Sequence, residues 1–464
     1  MRNAKHLRLI GLLVLVLAVR LGFLGLFHRQ AFSGPSTQFE QAFVALNLLS
    51  GEGFKTFQEL PQTLEVSDPT RIIDPERYDI RSPALQPYIR DVPGYAVFLA
   101  GLWKLFGAKL WIYAQIAQVI LEIFAAWGLY ALAKKFFGQS VGWLTVLVFA
   151  FVFYEARVSV VPYRDVFLLY LMLVISLFSS RIFLREGRPW VWFIGVCVVT
   201  GIGYYVTPSI VLYPAFLTLT LWLLKRVTFG AAVTFLVIAV TAVGLVVWPH
   251  QSYVRAHRND PGVTPPLFWY NLWLGNQVST FYSTQEERFQ GYFRDRTRAT
   301  GKTIEEVCQE DLLAYVRANP IPYALHTLKK LLYGTFLVYG NAGDATYPRS
   351  WNYFKTQHPQ AGFATYARTH PARITGMILG TLSASALFPT ALAALFLLRR
   401  GNKAAVGLFF FTVPVYFLLA LMFFHYEARY LTGALVGYLP LAGYALASIR
   451  GGQVEAPMGK AHRR

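Results

Sequence analysis

Four short stretches set charged side chains beside long apolar runs, where a charge is costly and usually marks a site or a paired network. In the stretch 33–54, Glu40 falls in the first turn of a predicted short helix at 37–50, with Phe39, Phe43 and Leu46 turned to the lipid or the bundle. A carboxylate at that interface suits a general base for an incoming hydroxyl. It also suits the positive end of the helix dipole, and taken alone that second role fits better. In 154–165, Glu155, Arg157, Arg164 and Asp165 cluster within one outer turn. Asp165 there suits orienting a sugar, binding a cation or serving as the base. The competing reading is an Arg164–Asp165 or Arg157–Glu155 pair that only anchors the turn. In 248–276, Arg255 and Arg258 follow the outer end of an apolar run. A guanidinium stays charged and donates two parallel hydrogen bonds, which fits a phosphate, although snorkelling to headgroups uses the same residue type. In 425–431, Arg429 sits in a tight turn before the last apolar run, where it can grip a lipid-linked phosphate with Glu427 holding it in place.

Other polar residues read as structural. Arg20 lies within the first apolar run, and Gln115, Gln118 and Glu122 share one helix face at spacings of three and four. Such a face more often holds helices together than catalyses. His250, His257 and His425 have no ligand-like spacing, so no dedicated metal site is expected. A Walker A loop, a G-x-G-x-x-G after a strand, a D-x-D, an H-E-x-x-H and a C-x-x-C are all missing from the sequence. A soluble nucleotide is therefore unsupported as substrate or energy source. The two cysteines, Cys197 and Cys308, are not expected to pair.

The elements that must position these residues are membrane spans. Of the 464 residues, 55% are hydrophobic and only 14% charged, against about a quarter in soluble domains. The net charge of +19 would suggest nucleic acid in a soluble protein. Here the basic excess gathers at the ends of apolar runs, as the positive-inside rule describes, and no nucleic-acid partner is expected. Runs of about 20 apolar residues predict an all-α polytopic membrane protein of about ten transmembrane helices. They fall near 7–27, 110–133, 141–158, 165–184, 190–206, 209–224, 229–248, 374–398, 404–424 and 430–448. The first reads as an uncleaved anchor rather than a signal peptide. Basic turns at Lys134–Lys135, Arg181–Arg188, Lys225–Arg226 and Arg399–Lys403 fall on one face if both termini are cytoplasmic.

The organisation follows from those spans. Residues 1–27 form the cytoplasmic N-terminus and first span, 28–92 a first outer loop with juxtamembrane helices, and 93–248 spans two to seven. Residues 249–373 form a second outer loop, 374–448 the last three spans, and 449–464 a cytoplasmic tail. The second loop includes predicted helical pieces at 303–318 and, lying at the interface, at 323–340. Two long extracytoplasmic loops place the chemistry outside.

In this order and on this topology, the segments resemble the C-type (GT-C) glycosyltransferases that use lipid-phosphate sugars. The likeness is nearest to the bacterial branch related to protein O-mannosyltransferases and the aminoarabinose transferases of lipid A, and it runs through about residues 10–448. Arg20-Leu21-Gly22-Phe23 looks like the family's Arg-Leu-aromatic end of the first span. Glu40 to Phe54 fits acid-x-x-x-A-x-N-L-L-x-G-x-G-F, followed by Arg90, Pro93-Gly94-Tyr95 and Phe106-Gly107. The Asn271–Asn276 stretch and the Arg429-Tyr430 turn complete the likeness. The family usually has an aspartate a few residues before Glu40, where this chain reads Ser36-Thr37-Gln38. Either Glu40 or Asp165 takes its place, or the chain is inactive.

The resemblance implies a plasma (inner) membrane enzyme with a polyprenyl-phosphate-linked sugar as donor and a glycan, lipid or protein as acceptor, working among membrane lipids. It implies inverting single displacement with Glu40 or Asp165 as catalytic carboxylate. Arg90, Arg255, Arg258 and Arg429 would bind the donor phosphate, and a divalent cation is allowed without being required. Two other readings are a transporter or flippase of lipid-linked sugars and a non-catalytic assembly protein. A carrier would hold its polar site at the bilayer midplane; an enzyme would bring Glu40 or Asp165 beside an arginine at the outer rim.

Overall fold

A computed structural model describes residues 2–27, 37–57, 84–258, 260, 268–276, 286–335, 358–400, 402–423 and 428–449. The chain is a multi-pass, α-helical membrane protein. Its first half runs α1 (Arg2–Phe27), α2 (Thr37–Leu49), α3 (Gly94–Phe106), α4 (Trp111–Phe137), α5 (Gln139–Ala150), α6 (Phe153–Val158), α7 (Phe167–Phe183), α8 (Pro189–Tyr204), α9 (Tyr213–Leu223) and α10 (Phe229–His257). Four helices between the first and second groups of spans follow: α11 (Phe268–Gly275), α12 (Glu286–Thr300), α13 (Ile304–Ala318) and α14 (Pro320–Thr335). The chain then continues through α15 (Phe363–Thr369), α16 (Pro371–Ser385), α17 (Leu387–Leu398), α18 (Asn402–Phe423) and α19 (Leu435–Ile449).

Seven segments among the described residues are long and apolar enough to cross a bilayer: His6–Leu26, Trp111–Phe137, Arg164–Phe183, Phe229–His257, Ile378–Leu398, Lys403–Met422 and Leu431–Ile449. Each matches a span expected from the sequence. The other three expected spans are shorter apolar helices, for identifiable reasons. The run 141–158 breaks at Phe151–Val152 into α5 and α6. The run 190–206 forms α8, which opens on Pro189, and the run 209–224 starts as a short turn, Pro208–Ile210, before α9; each proline stands at the first helical position, where its missing N–H costs nothing.

Helix α19 is the axis of the bundle: every residue from Leu435 to Ala445 is buried, as expected of a helix that is apolar all round. It packs against α5, α17 and α18. Helices α1 and α10 stand on the perimeter and expose Leu7, Val14, Val237 and Val240. Three of the basic turns meet at one end. Lys135 and Arg181 both pair with Glu186 at 2.9 Å, and the Arg185 guanidinium donates to the Lys225 carbonyl at 3.4 Å.

The opposite end carries the polar elements. Helix α2 lies where 37–50 was expected, but Phe43 and Leu46 face protein rather than lipid, in a cluster with Tyr88, Tyr95, Leu99 and Trp103. After α2 the chain reverses through Gly51 and Gly53, both at positive φ, which side chains with a Cβ resist. The Asn47 amide donates to Lys55 O at 2.8 Å and holds that turn. The turn leads into a two-stranded antiparallel ribbon, β1 (Lys55–Phe57) with β2 (Leu85–Pro87), in the register Thr56 opposite Gln86. The all-α expectation omitted this ribbon, because each strand is only three residues long.

In the segment after α10, α13 starts with a capping box between Thr303 and Glu306. Glu305 accepts from the Trp269 and Tyr270 backbone N–H groups at 2.7 and 3.0 Å, anchoring the first turn of α11. Helix α14 falls where an interfacial helix was expected. It packs on α18 and exposes one apolar stripe of Ile321, Leu325, Leu328 and Leu332.

Candidate active site at the outer rim

The site is built by three chain segments that meet at the ends of α2, α3 and α7. The first is held by Gln41. Its side-chain amide donates to Tyr88 Oη at 3.0 Å and to Val92 O at 3.3 Å, and its carbonyl accepts from Ala96 N at 3.0 Å. One buried amide thus ties α2 to the stretch 88–96. The second tie is Gly94, whose N–H donates to Tyr205 O at 2.6 Å; a Cβ at Gly94 would collide with that oxygen. The Pro-Gly-Tyr motif is therefore a close backbone crossing, and Tyr95 completes it by donating to Gln118 Oε1 at 2.9 Å.

These ties bring Glu40 against Arg90. Glu40 is 4% exposed, and its Oε2 lies 3.6 Å from the Arg90 guanidinium. That oxygen is buried and accepts no hydrogen bond among the described residues. Burial raises the Glu40 pKa above the usual carboxylate value; Arg90 pulls it back down, Asp91 pushes it up, and Arg164 lowers it. A carboxylate tuned upward, with an unsatisfied oxygen, is suited to take a proton.

The third segment is the turn Arg164–Val166 before α7. Arg164 pairs with the Asp91 carboxylate and stands 3.8 Å from Asp165 Oδ1. Asp165 is buried, and its backbone carbonyl accepts from Thr432 Oγ1 at 3.1 Å. The structure thus gathers Glu40, Arg90, Asp91, Arg164 and Asp165 in one row of three carboxylates and two guanidinium groups. Electrostatic reach of Asp91 extends to Tyr204 and His250. Tyr204 Oη is 2.9 Å from His250 Nδ1 and also accepts from the Gln251 amide, so the last turn of α8 and the Pro249 region of α10 wall the row.

The remaining candidates are placed differently. Arg255 is exposed and stacks over Trp248, 5.5 Å from the ring centre. Arg258 is exposed and within electrostatic reach of Glu305 and Glu306. Among the described residues, the guanidinium groups that act on Glu40 are those of Arg90 and Arg164. Arg429 lies in the turn Ala428–Ala434, which packs against Arg164–Val166; its side chain, with His425 and Glu427, lies outside the described residues. Glu155 is buried within reach of Glu122 and Arg20, so the expected pair with Arg157 is not its main partner. No three His, Cys, Asp or Glu side chains gather as a metal-ligand group among the described residues.

Sequence reasoning passed over Asp91, Tyr204 and Gln251, and weighed His250 only as a metal ligand. Asp91 had a readable signal: it stands beside Arg90 and directly before Val92-Pro93-Gly94, the start of a helix. The other three carry none, because ordinary Tyr, His and Gln side chains near span ends acquire meaning only from what faces them.

Residues 87–253 match the model of the dolichyl-phosphate-mannose-protein mannosyltransferase family. This stretch includes Arg90, Asp91, Arg164, Asp165 and His250. No curated protein matches the chain. Among solved structures, the chain is similar to the oligosaccharyltransferase AglB from Archaeoglobus fulgidus, bound to an inhibitory peptide and a dolichol-phosphate, at 13% identity and a TM-score of 0.48 over 96% of this chain and 51% of that one. It is also similar to ArnT from Cupriavidus metallidurans bound to undecaprenyl phosphate, at 15% identity and a TM-score of 0.37 over 95% of this chain and 79% of that one. The chain spans about half the length of the archaeal protein.

Proposed function

We propose that this protein is a membrane glycosyltransferase that moves a sugar from a polyprenyl-phosphate donor to an acceptor on the extracytoplasmic face of the inner membrane. The observation that carries this reading is the buried Glu40 carboxylate beside Arg90, in one row with Asp91, Arg164 and Asp165. The family match over 87–253 and the order of motifs support the substrate class. The meeting of basic turns at the far end of the bundle supports cytoplasmic termini.

The chemistry follows from the charges. An acceptor hydroxyl gives its proton to Glu40 while its oxygen attacks the anomeric carbon. The bond from that carbon to the phosphate oxygen breaks on the opposite face, and the electron pair leaves with the lipid phosphate, so configuration inverts. Negative charge then grows on the departing phosphate, which fixed guanidinium groups stabilise without reorganising. Arg90, beside Glu40, and Arg164 would supply these charges, and the turn that carries Arg429 packs against Arg164–Val166. Asp91 and Asp165 hold Arg164 on either side. Arg255 and Arg258, exposed on α10, suit the approach of the lipid headgroup.

The test is transfer by purified protein in liposomes from a panel of synthetic polyprenyl-phosphate hexoses, with products followed by mass spectrometry. Glu40→Gln and Asp165→Asn should each abolish transfer while leaving folded protein in the membrane. Wild-type turnover by both variants sinks the reading.

A further inference from the structure

Outside the rim, the largest polar network is built around Arg20, a fully buried arginine of α1. Its Nε lies 2.9 Å from Glu122 Oε2 on α4. Its two terminal nitrogens donate to Phe149 O at 3.2 Å and Ala150 O at 3.3 Å, and its guanidinium lies over the Phe149 ring at 4.7 Å. Phe149 and Ala150 are the last residues of α5, where the regular helical bonding ends; Phe149 O also accepts from Val152 N at 3.3 Å. Inside a bilayer unsatisfied backbone groups cost several kcal/mol each, so a helix can break there only if protein satisfies them.

The same face of α4 serves the other side of the break. Gln115 donates to Val160 O at 2.8 Å, and Gln118 donates to both Ser159 O and Val161 O at 2.8 Å. Between the two clamps lies α6, in which Tyr154 to Val158 are all buried. Arg20 with Glu122 therefore fixes the start of the non-spanning stretch 149–161, and Gln115 with Gln118 fixes its end. Three residues on, the chain delivers Arg164 and Asp165.

We infer that Arg20 is a positioning residue: it ends the third apolar run early, and with the Gln115–Gln118–Glu122 face it sets where Arg164 and Asp165 stand in the row. This rests on that row being the transfer site. Arg20 does not touch substrate; it acts through the 149–161 segment.

The experiment uses the full chain in liposomes with two variants, Arg20→Lys and Gln115→Leu. Lysine keeps the charge for Glu122 but cannot reach both carbonyls with a fork. Gln115→Leu removes the bond to Val160 O at the far clamp and serves should Arg20→Lys fail to fold. Each is combined with Ser159→Cys, because Ser159 is fully buried and reports the seating of the segment. The thiol introduced by Ser159→Cys should resist an aqueous maleimide in the otherwise wild-type chain and react in the variants. Turnover per folded molecule should fall about tenfold or more, as a displacement near 1 Å does, while KM for a polyprenyl-phosphate hexose stays within about twofold. Labelling without slowing, slowing without labelling, or neither in a folded variant overturns the inference. The thiol readout does not depend on transfer. If Glu40→Gln and Asp165→Asn keep full turnover, the function reading fails by itself; if they abolish transfer and Arg20→Lys changes nothing, only this inference fails.

Discussion

Two buried carboxylates, each beside an arginine, stand at different depths in this molecule and are finished differently. Within the bundle, Glu122 is satisfied on both oxygens, by Arg20 at 2.9 Å and by Tyr170 Oη at 2.9 Å. At the rim, Glu40 stands 3.6 Å from Arg90 and keeps a buried oxygen that accepts no hydrogen bond among the described residues. A closed network rigidifies; one with spare capacity has something to offer a ligand. Residue type does not separate the pairs, since both join a Glu to an Arg. Completeness of the hydrogen bonding does, for the two pairs themselves; Glu155, near the inner pair, also keeps two buried oxygens that accept no hydrogen bond among the described residues.

The comparison breaks most sharply under substitution of single partners. Glu122→Leu should strand the Arg20 charge in the bundle and cost about 3–5 kcal/mol, read as loss of folded protein or a large fall in the thermal midpoint in detergent. The paired change Arg20→Met with Glu122→Leu should recover part of that loss. Equal damage from single and double variants would show that the pair is not closed. Glu40→Gln should do the reverse: transfer falls about a hundredfold or more, about 3 kcal/mol of transition-state stabilisation, while the thermal midpoint barely moves. A large stability loss with intact turnover would make the rim pair as structural as the inner one.

Smaller effects sharpen the contrast. If Glu40 is the base, turnover rises with pH as Glu40 loses its proton, and burial places that limb above the ordinary value of 4.5. Arg90 lowers the Glu40 pKa and Asp91 raises it. Arg90→Gln should therefore move the acid limb to higher pH and Asp91→Asn to lower pH, checked by pH profiles of kcat. Shifts in the same direction for both would remove Glu40 from the role.

Lys330, on α14, donates to Asn276 Oδ1 at 3.0 Å and Met422 O at 2.8 Å, tying α14 to the end of α11 and the end of α18. Burial lowers its pKa from 10.5 to about 7. Between those values the unfolded chain holds a proton that the folded chain lacks, so stability should rise as pH climbs from about 7 toward about 10. Lys330→Met should flatten that slope in thermal melts, with little change in turnover.

Much of the fold was legible because apolar run length and basic turns are local signals. The seven long spans, the helix after Ser36 and the helix capped at Thr303 all stand where the sequence put them. The same pattern could not show the break at Phe151–Val152, because 141–154 carries no charge and the arginine that meets the carbonyls at the break lies about 130 residues away. Nor could it show the contacts of Gly94, whose reason lies in the Tyr205 carbonyl.

The sequence by itself determined that this chain lives in a membrane, roughly where it crosses, and which stretches carry charge at the rim, since hydropathy and charge are sums over neighbouring residues. Only the tertiary structure decided which charges meet. Glu40 and Arg90, Asp91 and Arg164, and Arg20 and Glu122 lie 50, 73 and 102 residues apart. A carboxylate's character follows from the groups within a few ångströms of it, and no local pattern encodes those.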